Sequence, residues 1–418
     1  MGDRNRNGSG SGAKLTSKFR LLRKNEIGGD VEMRKKLLAG AIAALASVGV
    51  HAQSSVTLYG IIDNGLTYVN NVKGSSQFKL DDGINQASRW GLRGVEDLGG
   101  GLKAIFTLEN GFSLNTGTAS HGGALFGRRA FVGLTSDRFG TLIAGYDYDF
   151  IYDYISYYTN VAQFAPSYAF HGSYDVDRLA GEPVSNMVRY ETPIWHGFGA
   201  GVMYGFSNTP GRLGGTFNGA ASVFSAGLKY SPTASLKAPY SLAASFTRTQ
   251  GGAVGATGGP GAGTMAQYAL QADAIYTAAL AGQVRLGDRF ALNGVYTYTS
   301  ANSRTLGTVV SSGYEAGLTY EASPFMTFGA GFTYMDQRKL GKFNLYSFGA
   351  DYHLSKRTDV YAFGTLQHAF AGRQFADNFL ISTPMSYGAS VGTNAIFGNG
   401  RSSTANQLAV QVGIRHLF

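Results

Sequence analysis

QLAVQVGIRHLF (residues 407–418) ends on a bare aromatic, Phe418. Leu408, Val410, Val412, Ile414, His416 and Phe418 form one alternating set; Ala409, Gln411, Gly413, Arg415 and Leu417 form the other. A period of two over twelve residues is a strand with one apolar and one mixed face. A strand that stops on a hydrophobe without a capping turn needs another strand to satisfy its backbone.

Composition points to many such strands. Glycine is abundant at 60 residues, Tyr and Phe together reach 52, proline is only 9 and cysteine is absent. Aromatic strands joined by glycine-rich turns fit that profile against an ordinary glycine usage of roughly 7 per cent. A large β-barrel of this length is one domain, and no shift in composition marks an internal boundary. The formal charge of +9 is misleading, because residues 1–52 hold ten Lys or Arg and four Asp or Glu. The remaining 25 basic and 22 acidic residues give +3 for 53–418, dispersed rather than clustered, which argues against nucleic acid as a partner.

MRKKLLAGAIAALASVGVHAQSS (residues 33–55) has the form of a secretory leader. Arg34, Lys35 and Lys36 precede an apolar stretch, Leu37–Val50, and Val50-His51-Ala52 is a small-residue cleavage signal. The expected organisation is a disordered extension or a start codon taken too early at 1–32, a cleaved signal peptide at 33–52, and a mature domain at 53–418. A membrane anchor would need about 20 apolar residues. No run of 18 apolar residues follows Gln53, so the exported chain is either soluble or spans as a closed barrel.

Alternation decides between these. In FMTFGAGFTYM, Met326, Phe328, Ala330, Phe332 and Tyr334 oppose Thr327, Gly329, Gly331 and Thr333. One face is oily and the other polar or tiny. The apolar face often ends in Tyr beside a tight turn, at Tyr190, Tyr230, Tyr320 and Tyr352, where a membrane interface accommodates a ring with a wet hydroxyl. Sixteen segments alternate, near 54–69, 86–96, 101–112, 126–136, 140–148, 186–192, 198–207, 223–231, 240–250, 268–286, 289–300, 312–320, 325–335, 343–353, 359–369 and 407–418. Short connections such as 97–100 alternate with long ones such as 370–406, the pattern of an outer-membrane barrel with both termini in the periplasm. The expected fold is all-β: a 16-stranded antiparallel transmembrane β-barrel whose last strand pairs with its first.

SSVTLYGIIDNGLTYV, SRWGLRGVEDLGGGLKAIFTLENGF, LFGRRAFVGLTSDRFGTLIAGYDY and the terminal VGIRHLF together resemble the trimeric porins of β-proteobacteria and Neisseria, over essentially all of 53–418. The resemblance implies a homotrimer in outer-membrane lipid and a third extracellular loop, 149–185, folded inward to narrow each pore. It also implies that Phe418 is part of the signal read by the barrel-assembly machinery. Within the family pattern, Arg89 and Arg128 match a basic cluster on the pore wall and Glu109 a lumenal carboxylate. Alternation agrees for Arg89 and Glu109 and turns Arg93 inward as well, since a charge on the lipid face costs ~2–4 kcal/mol at midplane. It does not decide between Arg128 and Arg129; the motif favours Arg128. Arg189 is a further candidate. Two departures stand out: Tyr146 replaces a common Arg, and the loop's acidic tip is reduced to Asp147, Asp149 and Asp153, with Asp175 and Asp177 beyond.

The implied function is passive diffusion of small hydrophilic solutes and ions, with a weak anion preference set by Arg89 and Arg128 facing Asp149 and Asp153. A substrate-specific channel with a track of the six Tyr in YDYDFIYDYISYY (residues 146–158) is the alternative. Nothing in the sequence suggests an enzyme or a cofactor: the seven His show no metal spacing along the chain, no paired-carboxylate signature stands out, and GGAVGATGGPGAG (251–263) lacks the GK[ST] of a phosphate loop.

Overall fold

In a computed structural model, residues 54–371 and 402–418 are described, except 73, 172–174, 234–236, 254–263 and 340. The expected leader, its cleavage before Gln53, the extension 1–32 and most of the long connection 370–406 lie outside the described residues.

The alternating segments become strands β1 (Ser55–Val72), β2 (Ser75–Asp82), β3 (Arg89–Gly99), β4 (Leu102–Gly111), β5 (Arg129–Ser136), β6 (Gly140–Asp147), β7 (Val184–Glu191), β8 (Phe198–Gly205) and β9 (Ser222–Tyr230). They continue as β10 (Tyr240–Gln250), β11 (Ala272–Leu286), β12 (Phe290–Ser303), β13 (Gly307–Ser323), β14 (Met326–Gln337), β15 (Gly341–His353), β16 (Thr358–Ala371) and β17 (Asn406–Leu417). From β3 onward each strand pairs antiparallel with the next, and β17 returns to β1 with Ile61 opposite Leu417 and Val69 opposite Ala409. Beyond the strand end, Gly60 and Phe418 exchange both backbone bonds, at 3.0 and 3.1 Å. The barrel is closed, so neither of these strands leaves an edge to lipid.

Seventeen segments make sixteen barrel strands because β2 and β3 share one partner. β2 lies along Asn64–Val72 and β3 along Ser55–Ile61 of β1. The strand expected at 86–96 is therefore corrected: it starts near 75 and is broken at 83–88. The break is satisfied from inside, as Asp63 accepts the backbone N–H groups of Asn85 and Gln86 at 2.9 and 2.7 Å. The segment expected at 268–286 divides into a helix, Met265–Leu270, with a Thr264–Gln267 capping box, and then β11.

The outward face is apolar and exposed, with Val56 at 65%, Leu228 at 63% and Ile414 at 49%, while Thr67, Gln411 and Thr333 on the opposite face are buried. Aromatics gather at the short-turn rim, where Phe198 and Tyr230 are 4.4 Å apart and Phe290 stacks on Tyr320 at 4.8 Å. That rim is the interfacial girdle expected from Tyr190, Tyr230, Tyr320 and Tyr352.

Candidate pore lining

Segment 148–171, after β6, packs against the lumenal faces of strands far from it in sequence. Phe150, Ile151, Tyr154, Ile155 and Tyr158 are buried with Met187, Met203, Val223 and Val295. Further along, Phe164, Ala165 and Tyr168 are buried with Val69, Met335, Phe343 and Leu345. Polar contacts fix its path: the Ser245 hydroxyl donates to the Phe150 carbonyl at 2.9 Å and Asn293 to the Tyr158 carbonyl at 2.8 Å. Ser167 bonds the carbonyl oxygens of Gly83 and Ile84 at the strand break, and the Tyr168 hydroxyl donates to Asp81.

The tiny residues of the lumenal face make this approach possible. A Cβ on Gly349 would stand 1.8 Å from the Phe164 carbonyl oxygen, and one on Gly329 1.9 Å from the Phe164 ring. Gly201 and Gly227 do the same beneath Phe150.

His171 closes the far end. Its two ring nitrogens lie 2.6 Å from Asp177 and 2.7 Å from Glu315 on β13, all three buried. Burial opposes charge on the ring, but the two carboxylates outweigh it and raise its pKa to about 10.

The arginines separate into two groups. Arg128 is 2% exposed and pairs with Glu109 at 2.6 Å, while Tyr59 donates to the other Glu109 oxygen at 2.8 Å. Arg129, not singled out by the sequence, sits opposite Glu109 in the β4–β5 ladder and bonds Asp147 and Asp153. Its lumenal position was legible from that register, because cross-strand partners share a face. Arg189 bonds Asp153, Glu191 and the Tyr148 carbonyl, and Lys229 lies 3.6 Å from Glu191. Burial raises the Asp153 pKa, but Arg129 and Arg189 outweigh it and hold the carboxyl below its ordinary value. These four cations, Arg128, Arg129, Arg189 and Lys229, are matched by four carboxylates, Glu109, Asp147, Asp153 and Glu191, so the network is formally neutral.

Arg89 and Arg93 form the second group. Arg89 donates to the Ala87 carbonyl at 3.0 Å, and Arg93 lies over the Tyr59 ring at 4.9 Å. Among the described residues neither has a salt-bridge partner, and Arg93 is exposed.

Three expectations change. Asp149 does not face the arginine wall: it is 1% exposed and bonded to Arg178, further along the connection between β6 and β7. Asp153 does not confront Arg128 across open space, because it is already bridged between Arg129 and Arg189. The tyrosine track of the alternative reading is not continuous: Tyr148, Tyr154 and Tyr158 are 1–6% exposed, Tyr146 lies on the outward face of β6 with Leu142, Tyr152 is half-buried and Tyr157 is exposed.

A profile of the family described as Gram-negative porin matches residues 39–369. The chain belongs to the Gram-negative porin family. An outer membrane porin protein of Bordetella pertussis is 30% identical over 81% of this porin and 95% of its own length. Outer membrane porin protein 32 of Delftia acidovorans is 29% identical over 92% and 100% of the two chains. Among solved structures, an anion-selective porin from Comamonas acidovorans superposes with a TM-score of 0.67 at 26% identity, over 87% of this chain and 100% of that one. This porin is an outer-membrane barrel that lets small hydrophilic solutes and ions diffuse passively through its lumen.

Proposed function

We propose that this channel weakly prefers anions, that segment 149–185 is the third extracellular loop folded inward as the constriction, and that Arg89 and Arg93 set its potential. The carrying observation is charge pairing. The arginine–carboxylate network around Asp153 is neutral, whereas Arg89, whose charge also acts on Glu109, and Arg93 make no salt bridge among the described residues. Fixed charges of one sign along a narrow water path bias which ions enter. The similarity to an anion-selective porin supports the same sign. Arg128, Arg129 and Arg189 act as scaffold: Arg129 and Arg189 tie the loop's Asp153 to the wall, and Arg128 pairs with Glu109 within the wall.

The assembly is a homotrimer in outer-membrane lipid, exported with cleavage before Gln53 and inserted by the barrel-assembly machinery through the strand that ends in Phe418. Reversal potentials of the purified trimer in asymmetric KCl test the selectivity. A chloride-side reversal is expected; a cation-side reversal at low salt overturns the assignment.

A further inference from the structure

We propose that Asp351, His353 and Asp359, at the short-turn rim of the lumen, bind a divalent transition-metal ion such as Zn²⁺. Spacing along the chain hides this group. Asp351 and His353 are two apart on β15 and share its lumenal face, and Asp359 on β16 is the direct cross-strand partner of His353. One carboxylate oxygen from each Asp and one imidazole nitrogen lie within 4.8 Å of one another. Donors around an ion with ~2.0–2.2 Å bonds sit ~3.3–3.6 Å apart, so modest side-chain rotation closes the set.

The second observation is an unfilled bonding capacity. Asp359 is only 3% exposed, yet among the described residues its Oδ1 has no hydrogen-bond partner, and neither does the buried Oδ1 of Asp351. Arg415 does not supply it: the guanidinium bonds Oδ2 of Asp359 at 2.9 and 3.0 Å and stays 3.8 Å from Oδ2 of Asp351. The His353 Nδ1 lies 3.8 Å from the Asp351 Oδ1. Buried carboxylate oxygens left without donors are costly, and a cation shared with an imidazole relieves both. Two carboxylates and one imidazole are a donor set for Zn²⁺ and its neighbours rather than for Mg²⁺ or Ca²⁺, and water completes the sphere from the open mouth. With His353 neutral, the two carboxylates and Arg415 carry a net charge of −1; a bound divalent ion makes it +1.

Isothermal titration of Zn²⁺ into the detergent-solubilised, full-length barrel tests this, compared with His353→Gln and Asp351→Asn. His353→Gln leaves the Arg415–Asp359 pair intact, and fast migration of unheated samples on SDS gels reports folding. One saturable ion per chain is expected, weakened at least tenfold in each folded variant. An isotherm without a saturable site in the wild type, or a His353→Gln isotherm that superimposes on it, overturns the proposal.

Discussion

Arg89 and Arg128 both belong to the lumen, but a charge reversal at each has a different meaning. Arg89→Glu with Arg93→Glu removes two cations that make no salt bridge among the described residues and adds two anions, while Glu109 keeps its Arg128 partner. A unit charge ~8 Å from a passing ion in a water-like medium is worth ~0.5 kcal/mol, so reversing one arginine changes the ion's energy by ~1 kcal/mol, about fivefold in partitioning before screening. The double variant is expected to cross to cation preference in reversal-potential measurements while remaining trimeric. Arg128→Glu instead leaves Glu109 facing a second buried carboxylate. Losing one partner of a buried pair costs about 3–5 kcal/mol, so the expected outcome is less folded barrel on SDS gels rather than a clean change in selectivity. His171 carries a pH dependence of its own. Its pKa of about 10 lies above the ordinary value of 6.5, so its stabilisation is complete below about 6.5 and is lost as pH rises through about 10. The urea unfolding midpoint should fall as pH rises from 6.5 to about 10, and fall less in His171→Gln, where no proton is left to lose.

At the scale of elements, β17 and the β13–β15 floor make opposite demands on a side chain. Phe418 faces outward, and its ring fills the space over Gly60, where an added Cβ would meet it at 2.3 Å. Phe418→Asp should therefore reduce assembled barrel in membranes several-fold, while Leu417→Asp, on the lumenal set, should reduce it far less; equal losses would overturn the register. On the floor the absence of a side chain matters. Gly349→Val forces a methyl-bearing carbon onto the Phe164 carbonyl, an overpacking worth about 1–3 kcal/mol. It should lower the thermal midpoint and broaden single-channel current fluctuations, whereas Gly364→Ala, with nothing within 4 Å, should do neither. This contrast also explains what the sequence could convey. Period-two alternation located the strands because burial on a barrel wall repeats every second residue. It gave the small lumenal residues no partner, since the residues that fill them are distant in sequence, from Phe150 over Gly201 to Phe164 over Gly349. The break at 83–88 was hidden for the same reason: its carbonyl groups are satisfied by Ser167 and its N–H groups by Asp63.

Over the whole molecule, residues 53–418 carry only +3, spread through a barrel whose most conspicuous arginines are already neutralised. Arg89 and Arg93 were legible because alternation assigns a face. That Arg129 and Arg189 are paired was not, because their shared partner Asp153 lies on segment 148–171, whose contacts with the wall no periodicity fixes. A selectivity that rests on a few unpaired charges facing water has a definite salt signature. The Debye length falls from about 10 Å at 0.1 M to about 3 Å at 1 M, less than the distance from the wall to the middle of a solute path of several ångströms' radius. Buried pairs are screened far less, so the scaffold should not respond. The anion-to-cation permeability ratio should therefore decline toward the bulk mobility ratio as KCl rises from 0.1 to 1 M, with conductance per molar salt falling in parallel and the unfolding midpoint nearly unchanged. A permeability ratio that is flat across that range would mean that selectivity comes from sites the bulk salt cannot screen, and would return Arg128, Arg129 and Arg189 from scaffold to selector.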